Sequence, residues 1–126
     1  MAETFLRSFS NRLDVISAGT QPNDRIHPIA FLVMAERQLY MDDNFPKSVE
    51  HFVNESFDYV ITVCEEAKNS CPIFTGEVKQ YIHLNFNDPA KSEGTEKYIF
   101  SEFRRVRDEI ETVFRKFFQE NLQTQF

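Results

Sequence analysis

Two cysteines, Cys64 and Cys71, are the residues whose type and spacing point most directly to chemistry. If the chain between them is helical, their Cα atoms lie about 10 Å apart, because seven residues make two turns. A disulfide needs Cα atoms within about 7 Å, so the pair could bond only if this segment unwound. Asn69 and Ser70 favour helix weakly and Pro72 ends it, so unwinding costs little. The spacing indicates a conditional redox pair; two buried thiols that pack as small apolar residues are the open alternative.

Asp88 is the third candidate, because it lies in a loop immediately before Pro89. By residue type, an aspartate before proline is more often a turn residue than a catalytic one. The functional alternative is a general acid that protonates a leaving oxygen. The three histidines are interpreted as structural or surface residues, namely His27 at a helix start, His51 at the surface and His83 within a strand.

Short strands alternate with helices along the chain, which predicts an α/β domain with a mainly parallel sheet. The predicted strands cover residues 13–17, 59–63 and 81–86. The second is β-branched and almost entirely apolar, as expected for a strand covered on both faces. The predicted helices run from residue 2 to about 11, from 28 to about 40, from 49 to 52 after Ser48, and from 96 onward after Thr95. A loop at 21–24 and a break at 44–46 complete the pattern.

Parallel strands carry the residues that follow them to one edge of the sheet, where ligands bind in open α/β sheets. The segments that follow the three predicted strands are Ser17-Ala18-Gly19-Thr20, Cys64, and Asn87-Asp88-Pro89-Ala90. We therefore expect the cysteine and aspartate candidates to converge on one site.

The last predicted helix carries the clearest periodic pattern. Its apolar residues recur every three or four positions, at Ile99, Phe103, Val106, Ile110, Val113 and Phe117. Such a stripe predicts a long helix that buries one face. Arg104, Arg105 and Arg107 alternate with acidic residues and are expected on the solvated face.

The composition restricts the classes of function. With 126 residues, 41% of them hydrophobic, residues 1–126 fit a single domain with a sizeable core. Its 20 acidic and 14 basic residues give a net charge of −6, which argues against nucleic acid and anionic membranes as partners. No apolar run is long enough to span a membrane, and the first residues lack a signal-peptide pattern. Two cysteines do not make a secreted disulfide framework, so the expected location is the cytoplasm.

A series of short stretches runs in order through nearly the whole chain, comprising Met1-Ala2-Glu3, Ser17-Ala18-Gly19-Thr20, Phe57-Asp58-Tyr59-Val60-Ile61-Thr62-Val63-Cys64, Ser70-Cys71-Pro72-Ile73-Phe74, Asp88-Pro89-Ala90, Glu93-Gly94-Thr95-Glu96 and Phe103-Arg104-Arg105-Val106-Arg107-Asp108-Glu109-Ile110. Together they resemble thioredoxin-coupled arsenate reductases, which share the low-molecular-weight protein tyrosine phosphatase fold. The Cys-x6-Cys element distinguishes these reductases from the plain phosphatases. The resemblance implies a three-layer α/β/α fold with a mainly parallel sheet.

The resemblance also implies a thiol-disulfide cascade that reduces arsenate to arsenite. In the family, a cysteine in a Cys-x5-Arg loop attacks the oxyanion. The cysteine matching Cys64 attacks the first one and releases arsenite, and the cysteine matching Cys71 then takes over the disulfide. Thioredoxin reduces that disulfide as electron donor, and no bound cofactor is implied. The aspartate matching Asp88 is the general acid.

The sequence departs from the family because it contains no Cys-x5-Arg. Ser70 lies six residues after Cys64, and Glu77 lies six after Cys71. In the family, that loop and the first strand lie immediately upstream of the segment matching Met1-Ala2-Glu3, so we expect this chain to lack both. The loop's backbone amides and arginine bind the oxyanion, and nothing retained replaces them. We therefore expect the chain alone to be inactive. Of the two explanations for the missing segment, we favour a sequence that was started at a methionine internal to the family's proteins over a true truncation.

No metal site is expected. Some of the reductases bind potassium with ligands matching Glu3 and Ser17, but Lys47 stands where a further acidic ligand is expected. No cluster of cysteine and histidine completes a tetrahedral set for zinc.

Two alternatives to a reductase remain open. One is a low-molecular-weight protein tyrosine phosphatase, against which the retained thiol pair argues. The other is a non-catalytic relative that acts as a binding module, for which the absence of Cys-x5-Arg is the main evidence. In each case arsenate or phosphate binds only if the loop is present, and open sheet edges favour self-association.

Overall fold

The computed structural model describes residues 1–19, 26–41 and 47–124, and these fall into two compact units. A helical unit comprises the described residues of Met1–Ser17, Ile26–Asn44 and Asp88–Phe126. A sheet unit comprises those of Ala18–Arg25 and Phe45–Asn87. The predicted loop at 21–24 and the predicted break at 44–46 lie outside the described residues. That residues 1–126 form a single domain stays a prediction.

From residue 57 onward, strands and helices alternate as the sequence predicts. The α-helices are α1 (Ala2–Phe9), α2 (Pro28–Ala35), α3 (Glu65–Ser70) and α4 (Glu96–Asn121). The strands are β1 (Phe57–Thr62) and β2 (Val78–His83), and short 3₁₀ helices cover Val49–Phe52 and Pro89–Lys91. The predicted caps are confirmed, since the Ser48 hydroxyl accepts a hydrogen bond from the Glu50 amide and the Thr95 hydroxyl accepts one from the Tyr98 amide. No helix in the described part of the chain is long and apolar enough to cross a membrane.

Local chemistry sets both ends of α2. Pro28 occupies the first turn, where its missing N–H leaves no hydrogen bond unmade. His27 caps the helix as predicted, because its Nδ1 atom accepts a hydrogen bond from the Ile29 amide at 3.2 Å. The helix ends at Ala35, earlier than the predicted end near residue 40, and Gln38 adopts a left-handed φ of 61° beyond it.

In the helical unit, α1 and α2 pack against α4. Four residues of the predicted α4 stripe are buried, namely Phe103, Val106, Ile110 and Phe117, whereas Ile99 and Val113 are half-buried. The buried face instead takes in Phe114 and Phe118. A strict 3.5-residue repeat falls behind a 3.6-residue helix by about 20° per heptad, so over a long helix the prediction drifts off the buried face.

Arg107 is also buried on α4, so its predicted place on the solvated face is wrong. The whole residue is only 6% exposed. The guanidinium donates hydrogen bonds to the Val33 carbonyl at 2.9 Å, to Glu36 Oε1 at 2.6 Å and to Asp108 Oδ1 at 2.9 Å. Arg107 thereby links α4 to the last turn of α2.

The spacing of α4 contained the signal for this burial. Arg107 lies four residues after Phe103 and three before Ile110, which is the spacing of the apolar stripe itself. Arg104 and Arg105 fall off that stripe, and both are exposed as predicted.

Residues 13–17 form neither a helix nor a strand, so the predicted first strand is wrong. Side chains of α1 take up their backbone groups instead. The Arg7 guanidinium donates to the Val15 carbonyl at 2.5 Å, and the Ser17 amide donates to Glu3 Oε1 at 2.9 Å. An alternating pattern alone does not make a strand, because a strand also needs a ladder partner.

The sheet unit contains a parallel pair of strands, which confirms the α/β class and the strand direction. β1 and β2 pair in register from Phe57↔Val78 to Thr62↔His83. β2 begins and ends three residues before its predicted limits, although the Leu84 and Phe86 amides still donate to carbonyls of the chain at the end of β1. β1 is half-buried at most positions rather than covered on both faces, which corrects the expectation from its apolar sequence.

Candidate functional site

The two cysteines flank α3. Cys64 lies immediately before the helix, and Cys71 lies immediately after it. The Cys64 carbonyl accepts a hydrogen bond from the Lys68 amide at 3.0 Å, so hydrogen bonding begins in the first turn. Pro72 cannot continue a helix, because it has no N–H and its ring clashes with the preceding turn. The structure thus confirms a short helix between the candidate thiols.

Both cysteines are thiols, and both are half-buried. With α3 intact, two helical turns separate their Cα atoms by about 10 Å, beyond the reach of a disulfide. A bond between Cys64 and Cys71 therefore requires α3 to unwind. Burial raises the pKa of the Cys71 thiol, which lowers its thiolate fraction near neutral pH. This partial burial argues against the alternative in which both thiols are buried and serve only as small apolar residues of the core.

The chain beyond Cys71 is anchored to the segment before β1. The Val53 carbonyl accepts hydrogen bonds from the Thr75 amide at 2.7 Å and the Gly76 amide at 3.2 Å. A Cβ at Gly76 would lie 2.1 Å from the Glu55 carbonyl oxygen, so only glycine permits this approach. The anchor limits any rearrangement of α3 to the residues before Thr75.

A pocket of about 500 Å³ opens beside Cys71 within the sheet unit. Its apolar lining comes from both strands and from the segment after Cys71, and comprises Val60, Pro72, Ile73, Tyr81 and Ile82. Its polar lining comprises Thr62, Lys68, Cys71 and His83. The Thr62 hydroxyl and His83 Nδ1 lie 2.7 Å apart at paired positions of the two strands, which gives His83 the structural role predicted for it.

Asp88 belongs to the helical unit, where it begins the 3₁₀ helix Pro89–Lys91. Its Oδ1 atom accepts a hydrogen bond from the Ala90 amide at 3.0 Å, and its side chain is exposed. This is the turn role that residue type favours. The cap orients the carboxylate without burying it, and the role of Asp88 as a general acid stays a prediction.

Glu3, which the family resemblance links to potassium, is 7% exposed in the helical unit. Its Oε1 atom accepts hydrogen bonds from the Ser17 amide and hydroxyl, both at 2.9 Å, and its Oε2 atom lies 3.6 Å from Arg7 Nε. A cation would have to displace both donors beside a guanidinium that repels it, so these residues do not fit a potassium site. Across the described ranges, no group of three or more His, Cys, Asp or Glu side chains is placed to hold a metal.

Comparison with known proteins identifies the family. The model of the low molecular weight phosphotyrosine protein phosphatase family matches residues 1–125. The arsenate reductase of Shouchella clausii is 35% identical over 118 residues, which are 93% of this chain and 84% of that protein. The arsenate reductase of Bacillus subtilis is 30% identical over 118 residues, with the same coverage of 93% and 84%.

A solved structure of an arsenate reductase in the reduced state has the same fold. It matches with a TM-score of 0.67 at 21% identity, covering 94% of this chain and 86% of that one. The resemblance to arsenate reductases and the predicted α/β class are therefore confirmed. The chain belongs to the low molecular weight phosphotyrosine protein phosphatase family, and the two relatives named above are arsenate reductases.

Proposed function

We propose that this chain is an arsenate reductase-type protein in which Cys64 and Cys71 form the disulfide that thioredoxin reduces. The observation that carries the proposal is α3, a helix of six residues with a half-buried thiol at each end. A helix this short is marginal without tertiary support, so it can unwind at low cost. The arsenate reductase relatives supply the substrate class.

In the proposed cascade the chain contributes the last two thiols. When a segment carrying the family's nucleophilic cysteine is supplied, the Cys71 thiolate attacks Cys64 while Cys64 is bonded to that cysteine, whose thiolate leaves. The resulting Cys64–Cys71 disulfide takes two electrons and two protons from the thioredoxin dithiol. Asp88 acts as the general acid of the earlier oxyanion step. This chemistry needs a compartment that holds reduced thioredoxin, and we place it in the cytoplasm.

Oxidation of the purified chain tests the thiol pair. A mild oxidant should produce an intramolecular Cys64–Cys71 bond that peptide mapping by mass spectrometry detects, and thioredoxin with its reductase should remove it. Cys64→Ser and Cys71→Ser should each abolish the intramolecular bond and serve as controls. Intermolecular disulfides alone, or no oxidation product, would contradict the pairing.

The 126-residue chain by itself should neither reduce arsenate nor hydrolyse aryl phosphates. The sequence contains no Cys-x5-Arg, so both the nucleophile and the loop that binds the oxyanion are absent from it. The assay supplies arsenate, thioredoxin, its reductase and NADPH, and follows NADPH oxidation. Turnover that Cys64→Ser abolishes would overturn this expectation, and hydrolysis of aryl phosphate would favour a phosphatase.

A non-catalytic binding module is the second candidate. The same absence of Cys-x5-Arg favours it, because a chain without an anion cradle can still fold and bind a partner. Redox cycling of Cys64 and Cys71 by thioredoxin separates the two, since a binding module has no need of it.

A further inference from the structure

An exposed apolar surface lies next to the proposed redox pair. Ile73, two residues after Cys71, is 90% exposed, and Tyr81 on β2 is 56% exposed. Both side chains line the pocket that Cys71 lines. An isoleucine and a tyrosine this exposed beside one pocket form a surface that a partner can bury, and such surfaces mark interaction sites.

The reduction chemistry determines which partner must reach this surface. To reduce a disulfide, a protein dithiol has to bond one of its sulfurs to one of the two cysteines. In a mixed disulfide the two Cα atoms lie about 6 Å apart, so the partner's backbone covers the residues beside the bonded cysteine. Since Ile73 and Tyr81 share a pocket with Cys71, they lie inside that footprint.

We infer that the pocket wall formed by Ile73 and Tyr81 is the docking surface for the protein dithiol that reduces the Cys64–Cys71 disulfide. The pocket receives an apolar side chain of that protein. The inference rests on the proposed function and adds to it the residues that recognise the reductant.

The strand side of this surface stays in place when α3 unwinds. Tyr81 is paired with Val60 in the parallel ladder, so its position does not depend on α3. Ile73 lies next to the anchored segment, where the Thr75 amide bonds to the Val53 carbonyl at 2.7 Å. The oxidised chain therefore keeps Tyr81 in place, and Ile73, which lies between Cys71 and the anchor, can move only as far as that short tether allows.

The electron transfer balances without any further reactant. A thiolate of the reductant attacks Cys71 Sγ, the disulfide breaks, and Cys64 leaves as a thiolate that takes up a proton. The second thiol of the reductant then attacks the mixed disulfide and releases Cys71. The reductant becomes a disulfide, and two electrons pass to the chain. Dithiothreitol performs the same exchange without a protein footprint, which separates docking from chemistry.

The test compares two reductants on the oxidised chain. Ile73→Ser and Tyr81→Ser remove the apolar contacts, and Tyr40→Ser is the matched control, because Tyr40 is 66% exposed in the helical unit. Reduction is followed with thioredoxin, its reductase and NADPH, and separately with dithiothreitol. Each pocket variant should lower the second-order rate with thioredoxin about tenfold, the effect of losing one well-buried contact. Their rates with dithiothreitol, and both rates of Tyr40→Ser, should stay within about twofold of wild type.

Two results would overturn the inference without touching the proposed function. One is an unchanged thioredoxin rate in both pocket variants, and the other is an equal loss with thioredoxin and dithiothreitol. If wild type forms no Cys64–Cys71 disulfide, or thioredoxin fails to reduce it, the proposed function fails and the docking surface fails with it. Circular dichroism of each variant checks that its fold is retained.

Discussion

Removing the Arg107 guanidinium is expected to weaken the attachment of α2 to α4. The group is buried, and it bonds to the Val33 carbonyl, to Glu36 and to Asp108. In Arg107→Ala the carbonyl loses this donor in a buried setting, and the space filled by the arginine stem is left empty. Both changes act on the same helix pair, so the free energy of unfolding should fall.

The partners of Arg107 set the size of the loss. Breaking a fully buried ion pair costs about 3–5 kcal/mol, because a charge is left unpaired. Here Glu36 keeps Arg104 at 2.8 Å and Asp108 keeps Arg37 at 2.7 Å, and both carboxylates reach solvent. Neither carboxylate is left without a cationic partner, so the ionic contribution to the loss of stability is small. The lost carbonyl hydrogen bond and the lost packing remain, and together they are worth about 2 kcal/mol.

Urea unfolding at pH 7, followed by circular dichroism, measures this loss. Arg107→Met keeps a long apolar stem and removes the donors, so it should lose less than Arg107→Ala. Arg105→Ala is the matched control, because Arg105 is exposed and pairs only along its own helix with Glu102 and Glu109 among the described residues. That control should show no measurable loss. If Arg107→Ala unfolds at the same urea concentration as Arg105→Ala, the buried guanidinium does not hold the helices together.

Three further perturbations follow from other contacts. Hydrogen bonding from Arg104 is the largest of the effects that lower the pKa of Glu36 from 4.5 to about 2, and burial opposes the shift. The ionised carboxylate therefore stabilises the fold above pH 4.5, and this contribution is lost as the pH falls from 4.5 to 2. The stability gap between wild type and Glu36→Gln should therefore shrink over that window in urea titrations; a constant gap would contradict it. Gly76→Ala should lower the Tm by about 5 °C or more, because its Cβ would meet the Glu55 carbonyl; an unchanged Tm would refute the close approach. Since β1 has one ladder partner among the described strands, the chain should self-associate at micromolar concentration, and a monomer in sedimentation would count against this.

Elements defined by local signals could be predicted from the sequence. The Thr95 cap and the apolar period of α4 are properties of neighbouring residues, and the helix begins where they indicate. Pro28 and His27 fix the start of α2 in the same way. The 13–17 segment could not be predicted, because whether extended chain becomes a strand depends on a distant partner. Arg107 lies away from its predicted place because its position in the helical period, rather than its charge, determines its burial.

In the candidate site, too, features set by neighbouring residues could be predicted, whereas features that depend on distant contacts could not. The Cys-x6-Cys spacing and the weak helix between the thiols are local, and both were predictable from Asn69, Ser70 and Pro72. The pocket beside Cys71 depends on strand pairing, and the anchor at Gly76 depends on a contact with Glu55 more than twenty residues earlier. No sequence pattern predicts a contact between residues that lie so far apart along the chain.

The anchor at Gly76 also affects how fast the two thiols find each other. Cys64 is attached to the end of β1, and Cys71 lies close before the fixed backbone at Thr75, so both are tethered on one short stretch of chain. Short tethers give effective concentrations in the millimolar range. In the proposed chemistry, when a small thiol such as glutathione is bonded to one cysteine, the other cysteine competes for that bond at a millimolar effective concentration. The protein would then expel such adducts by closing its own disulfide, at a rate that does not depend on how much protein is present.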